Sequence, residues 1–288
     1  LYHLIFVVKI KNNMRVCIFG SGLSALTLAK ALVNQNIFVD VIFSNTNKKI
    51  DQFRTIGISK SNYEYFNRNI INIKKIIWKL KKIQIYSENF KKEKILHFEN
   101  NNDQLFSIVK NYNLREILNK SLLKSKYFKK IVLKKKITDF DKYDLIINTD
   151  FYSDLNKKFF NKKIEKRYNS LAYCTVINHE KVSNDVAIQI FTKKGPLAFL
   201  PISNNKTSIV YSIHNTKNRN KENVKQLIHQ YNFKYKIKKI EKIIFFNLKS
   251  FVLRSYYHNN ILAFGDLLHR IHPLAGQGFN MTIRDVNI

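Results

Sequence analysis

The chain has 288 residues, 51 Lys+Arg against 20 Asp+Glu, and a 45% hydrophobic, 13% aromatic composition. That length holds one large or two modest domains, and that apolar share builds a sizeable core. No run approaches the ~18–20 apolar residues of a membrane span, and two cysteines make neither a disulfide framework nor a CxxC metal site. The formal charge of +31 has two readings. One is an anionic partner, nucleic acid or a membrane surface. The other is coding bias, since the excess is mostly Lys, spread along the chain and mixed with Ile, Asn, Phe and Tyr. No DNA- or RNA-binding motif accompanies the charge, so no nucleic-acid partner is expected.

Residues 1–13 precede Met14, which stands directly before the first strand, and read as upstream translation or a fragment edge rather than native structure. Residues 15–19 form a short apolar strand with a buried Cys17. The turn Gly20-Ser21-Gly22-Leu23-Ser24-Ala25 follows, then helical spacing over 26–34 and a second strand over 38–43. Strand, glycine turn, helix and strand make a right-handed βαβ unit. Further on, 78–86 and 95–98 read as strands, 100–104 as a polar turn, 114–123 as a helix and 143–148 as a strand. From Leu171 the texture turns to sheet, with strands at 171–177, 185–192, 197–201 and 207–213. A helix at 220–235, strands at 242–253 and 260–264, and a helix from Gly278 complete the order. The plan is an α/β domain with a sheet-rich insertion. The expected boundaries are 14–70, 104–165 and 251–288 for the α/β domain, with 71–103 and 166–250 for the sheet-rich one.

The glycine turn carries the first chemistry. Gly20 permits the tight turn, Gly22 lets backbone approach a pyrophosphate, and small Ala25 lets helix pack on strand. Phosphates then sit on free N–H groups at the helix start. This spacing points to a dinucleotide without separating NAD from FAD. The second strand ends in Phe43-Ser44 where an acid for the adenosine ribose is usual, leaving Ser44 as the hydrogen-bonding candidate.

The segment 265–285 is more specific. Gly265-Asp266 puts a carboxylate at a strand's carboxyl end, where ligands bind in open α/β sheets. Pro273 fixes the approach, Gly276 and Gly278 let backbone come close to a flat ligand, and a helix start aims N–H groups at it. His269 and His272 have no acid or cysteine cluster beside them, so no metal is expected.

His272-Pro273-Leu274-Ala275-Gly276-Gln277-Gly278-Phe279-Asn280, with Arg284-Asp285 after it, resembles the second FAD motif of the para-hydroxybenzoate-hydroxylase-type flavin monooxygenases, the ubiquinone-biosynthesis ring hydroxylases above all. Arg54-Thr55-Ile56-Gly57-Ile58-Ser59 is similar to the family's arginine segment after the second strand. Phe191-Thr192 with Gly195-Pro196-Leu197-Ala198-Phe199-Leu200-Pro201 is similar to the subgroup's sheet-domain signature. The resemblance implies a Rossmann-like FAD-binding domain with an inserted sheet-rich substrate domain. It implies FAD as cofactor, held by Gly20, Gly22, Ala25, Ser44, Arg54, Asp266, Pro273, Gly276, Gln277, Gly278 and Asn280, with His272 on the substrate side. The chemistry is then the flavin's, with no catalytic side chain required.

The implied reaction is hydroxylation of a polyprenylated phenol with NAD(P)H and O2. The expected setting is the cytoplasm, peripheral on the inner face of a membrane or in a quinone-biosynthesis complex, and the chain is expected to lack a helical C-terminal region that the family carries. Four positions depart from the family. Thr282 replaces a glycine, Lys110 replaces an acid, and Phe43 replaces the ribose acid. Thr149-Asp150-Phe151 stands where an Asp-Gly motif contacts FAD and the nicotinamide nucleotide. These departures keep two alternatives open: a non-catalytic flavin-fold partner protein, and another oxidoreductase of the same fold.

Overall fold

The computed structural model describes residues 14–43, 54–88, 94–99, 103–132, 140–214, 221–270 and 277–287. Three sheets organise them. The first has six strands in the order Tyr257–His258, Ile261–Ala263, Leu145–Asn148, Arg15–Phe19, Phe38–Phe43, Phe128–Val132. All its pairings are parallel except the terminal hairpin. Its central strands are largely apolar because both faces are covered, with buried Asp40 accepting from Tyr143 Oη (2.8 Å) and paired with Arg15 (3.1 Å). On one face lie the helices Leu23–Asn34 and Asn111–Leu122, which bury Ala25, Leu26 and Ala29 against Leu114, Leu118 and Leu122. On the other, Cys17, Phe19 and Ile146 pack with Leu155, Phe160 and Leu253.

The second sheet has nine strands. Its main path runs His269–Arg270, Ile244–Leu253, Lys163–His179, Lys206–His214, Gly195–Ser203, Val186–Thr192, Lys82–Ser87, Lys94–Glu99, and Ile237–Ile240 pairs with Lys163–His179. Alternation along Gly195–Ser203 turns Leu197 and Phe199 toward the helix Lys221–Tyr231. Leu200 and Ile202 face the third sheet instead. That sheet has three antiparallel strands in the order Thr55–Ser59, Phe106–Lys110, Ile77–Leu80. The helix Gln277–Val286 returns to the first core through Ile283 and Phe279.

The expected α/β plan with a sheet-rich insertion is therefore the fold adopted. The expected single strand over 78–86 is instead two, in different sheets. The break is at Lys81, where the N–H groups of Lys81 and Lys82 both donate to the Asp185 carbonyl (2.9 and 3.4 Å) and redirect the chain. The expected strand over 171–177 extends to Lys163–His179, with a bulge between Arg167 and Leu171 and Asn169 at φ 49°. Strands Thr55–Ser59, Phe106–Lys110 and Phe128–Val132 carry no strong alternation in sequence and emerge only through their partners.

Candidate flavin site

The first strand ends at Phe19, whose carbonyl accepts from both the N–H and the Oγ1 of Thr149 (2.8 Å each). Gly20 passes through φ +117° directly above that pair, and a Cβ there would sit 2.2 Å from Thr149 Oγ1. Only glycine satisfies both the dihedral and the approach. Gly22 is the N-cap of Leu23–Asn34 and offers no side-chain cap. A Cβ on Gly22 would meet nothing within 4 Å, so the space before the helix is open. The first N–H groups of a helix lack intrahelical partners and carry its positive end. Ala25, the third position of the motif, is fully buried.

The second helix end lies beside the first. Gly265 takes φ +65°, and a Cβ there would stand 2.6 Å from the Ser24 Cβ, so both its dihedral and its surroundings call for glycine. The next residue, Asp266, is exposed, and its Oδ1 lies 3.6 Å from where a Gly278 Cβ would stand. A carboxylate acceptor thus faces the first turn of Gln277–Val286, where Gln277 is exposed and Gly278 half-buried. Two helix N-termini and one carboxylate converge on one space. Donor N–H groups suit a pyrophosphate and an anionic flavin ring, and the carboxylate suits a polyol chain. The residues present fit FAD.

Asn280 sits differently. It is 8% exposed, and its Nδ2 donates to the Gly57 carbonyl (2.8 Å). Its Oδ1 accepts from Ser59 N–H (3.0 Å) and Asn62 Nδ2 (2.8 Å). It ties the flavin-side helix to the strand Thr55–Ser59. Thr282, the residue in place of a glycine, is accommodated without displacement: it is 1% exposed, and its Oγ1 bonds the Gly278 carbonyl (3.3 Å) and Ser24 Oγ (3.4 Å). Arg54, at the start of the same strand, is exposed, with its guanidinium 5.9 Å from the Phe246 ring centroid. Its carbonyl accepts from Asn111 N–H (3.0 Å), so it marks the meeting of strand, helix and broad sheet. Ser44, His272, Pro273 and Gly276 lie outside the described residues.

The departing positions have their own contacts. Phe43 lies under Lys130, with Nζ 4.6 Å from the ring centroid. Phe151, 38% exposed, packs 5.5 Å from Phe251, and Lys163 Nζ caps both rings at 4.7 and 5.2 Å. Asp150 caps the turn locally through Tyr152 N–H (2.9 Å). Sequence reading missed Asn62, and named Thr149, Ser24 and Ser59 only as members of motifs, without the contacts they make here. Small polar residues in loops and helix starts carry no periodic signal; only the glycines and Asn280 that they contact were legible.

Residues 165–287 match the family model described as FAD binding domain. The chain is 22% identical to the ubiquinone biosynthesis monooxygenase COQ6, mitochondrial, of Drosophila melanogaster, over 96% of this chain and 73% of that one. It is 32% identical to the 3-demethoxyubiquinol 3-hydroxylase of Escherichia coli over 38% of this chain, a stretch that covers 29% of that enzyme. The fold is similar to that of PqsL, a probable FAD-dependent monooxygenase from Pseudomonas aeruginosa, with TM-score 0.77 and 14% identity over 96% of this chain and 84% of that one. Over residues 165–287 the chain matches an FAD-binding domain, FAD is its cofactor, and over its length it is similar to flavin-dependent monooxygenases.

Proposed function

We propose that the protein hydroxylates a polyprenylated phenol on a route to ubiquinone. The balance is one phenol, one O2, one NAD(P)H and one proton to one phenol bearing a second hydroxyl, one water and one NAD(P)+. The observation that carries the reading is the convergence of the Gly22 and Gly278 helix ends with Asp266. The similarity to a ubiquinone biosynthesis monooxygenase and to a 3-demethoxyubiquinol 3-hydroxylase supports the choice of pathway.

Bound FAD supplies the redox chemistry, accepting hydride and activating O2. The chain's own residues bind, orient and shield. The free N–H groups after Gly22 neutralise the pyrophosphate. Asp266 accepts hydrogen bonds from a polyol. The helix end at Gly278 stabilises negative charge on the flavin ring. The strand Thr55–Ser59, fixed by Asn280, holds the wall between that helix and the broad sheet. Leu200 and Ile202 present an apolar face to the third sheet, which excludes water.

A polyprenyl tail resides in lipid. No helix among the described residues is long and apolar enough to cross a membrane. Peripheral contact with an anionic surface suits the charge of +31. The test is phenol-dependent oxidation of NAD(P)H by the FAD-loaded protein, with ¹⁸O2 as oxidant and a short-chain prenylated phenol as substrate. One labelled oxygen in the product supports the reading. NAD(P)H oxidation that yields only peroxide and is indifferent to phenol contradicts it.

A further inference from the structure

Alternation gives the broad sheet two faces. One packs on the helix Lys221–Tyr231. The other turns toward the third sheet: Ser208 Oγ bonds Thr55 Oγ1 (2.8 Å), and Arg54, next to Thr55, sets its guanidinium 5.9 Å from the Phe246 ring centroid. Thr55 opens the strand that Asn280 ties to the flavin-side helix. Phe246, Ala172 and Ser212 pair in one row across this face. The next row, about 7 Å along the strands, pairs Ser170 with His214. His214 therefore lies about 12 Å from Phe246, two strands across and one row along, with the small Ala172 and Ser212 between them.

The imidazole is held on two sides. Its Nδ1 lies 2.6 Å from Ser170 Oγ. Ser170 is 3% exposed, and its single O–H donates to the Tyr168 carbonyl (2.9 Å). Ser170 Oγ must then accept from the ring, so Nδ1 carries the proton and the neutral imidazole keeps its lone pair on Nε2. Gly195 stands against the ring at φ +132°: a Cβ there would come 2.1 Å from the Ser212 carbonyl oxygen and 3.5 Å from His214 Cδ2. The Gly195-Pro196 signature thus clears the place that this strand and ring occupy. His214 N–H donates to the Lys194 carbonyl (2.9 Å). The side chain is exposed, and Nε2 has no hydrogen-bond partner among the described residues. The titratable and charged groups of the adjoining elements are Tyr168, Lys193 and Lys194 in the turn, Arg54 over Phe246, and Arg167 and Lys249, both on Glu165. Glu88 is taken up by the Lys193 N–H (2.5 Å).

We propose that His214 is a catalytic base of the hydroxylation: Nε2 takes the proton of the phenol's hydroxyl, and Ser170 fixes the tautomer that enables it. The inference rests on the hydroxylase reading above and gives that reaction a side chain whose task the flavin does not perform. The phenolic O–H bond breaks and an N–H bond forms at Nε2, leaving a phenolate beside an imidazolium; no electron changes hands. The phenolate ring is richer in electrons and attacks an electrophilic oxygen more readily. After oxygen transfer the proton returns from Nε2 to the product's oxygen, so the overall balance is unchanged.

The test is the pH dependence of phenol-dependent kcat in the FAD-loaded protein, with a short-chain prenylated phenol, for wild type, His214→Gln and Ser170→Ala. His214→Gln is expected to lose about a hundredfold at neutral pH, the low end for a general base. The loss should shrink as pH rises toward about 10, where a phenol ionises without help. Ser170→Ala should lose about tenfold, the worth of one hydrogen bond, with the same pH signature. His97→Gln, at a ring paired with Glu99 on the sheet's edge strand, should lose nothing. A second readout needs no turnover: 4-nitrophenol, coloured only as its phenolate, should ionise at lower pH when bound to wild type than when bound to His214→Gln. Undiminished kcat in His214→Gln, a loss of the same size at every pH, or equal ionisation of the nitrophenol on both proteins overturns the proposal. Failure of the hydroxylase reading has a different signature: wild type makes no phenol-dependent product at any pH, yet still draws the proton from bound nitrophenol.

Discussion

Asn280→Ala tests the geometry of the flavin site through one buried side chain. The substitution removes the donor to the Gly57 carbonyl (2.8 Å) and the acceptor of Ser59 N–H (3.0 Å) and Asn62 Nδ2 (2.8 Å). Each group left buried and unsatisfied costs about 1–3 kcal/mol. Asn62 Nδ2 keeps its second acceptor, the Asn280 carbonyl at 3.1 Å, which survives the substitution. Entry of water offsets part of the rest, for a net loss of roughly 2–4 kcal/mol. For a domain of this size that is a fall in Tm of roughly 4–12 °C, measured by thermal unfolding with FAD present. FAD affinity should fall with it, because the first turn of Gln277–Val286 loses its tie to Thr55–Ser59. Asn280→Asp separates hydrogen bonding from packing. It keeps the shape and the acceptor but sets a carboxylate oxygen against the Gly57 carbonyl, and should lose nearly as much. An Asn280→Ala protein within about 2 °C of wild type, with FAD affinity intact, would refute the assignment of Asn280 as the tie.

Gly20→Ala should lose FAD at least tenfold, since its Cβ would stand 2.2 Å from Thr149 Oγ1 at φ +117°, a strain of about 1–3 kcal/mol from the dihedral alone; equilibrium dialysis of FAD reads it, and unchanged affinity would count against the turn as a phosphate cradle. Cys17 and Cys174 are both buried, and burial pushes the Cys17 thiol up to about 12. Neither should react with a thiol reagent at neutral pH until the chain unfolds; rapid labelling of Cys17 in the folded protein would contradict the packing of the first sheet. His179 is buried, with Nδ1 on the Glu180 carbonyl and Nε2 on Thr207 Oγ1, and burial lowers its pKa. The folded state therefore binds fewer protons than the unfolded one. Its contribution to stability is complete above the unfolded value of about 6.5 and is lost as pH falls from there to the lowered folded value. His179→Gln should flatten the Tm–pH profile in that window, and an unchanged slope would exclude His179 as its source.

What was legible in the sequence was whatever glycine, proline or strict periodicity marks. Gly20 and Gly265 were legible because each stands where a side chain is excluded by a positive φ and a close neighbour, and Gly22 and Gly278 because they mark the starts of the two helices that meet there. Asp266 was legible as the acid that follows a short apolar strand, which ends at Ala263 and leads into the 3-10 turn Gly265–Leu267 that carries it. The third sheet was not: Thr55–Ser59 is a strand because Phe106–Lys110 pairs with it and because Gly57 makes room for the Phe106 ring, 2.0 Å from where a Cβ would be. That is a long-range fact with no local mark. Asn280 was read as a ligand of the cofactor from its place in the motif. In the fold its amide is spent on Gly57, Ser59 and Asn62, so its part is to position the helix that meets the flavin.

The central claim is that the helix ends at Gly22 and Gly278, with Asp266 between them, hold FAD. The visible absorption spectrum of the purified, folded protein after incubation with FAD and gel filtration tests it most directly. The account predicts a yellow protein carrying one flavin per chain, with Gly20→Ala and Asp266→Ala eluting depleted of it. A colourless protein that is folded by circular dichroism and retains no added FAD would contradict it.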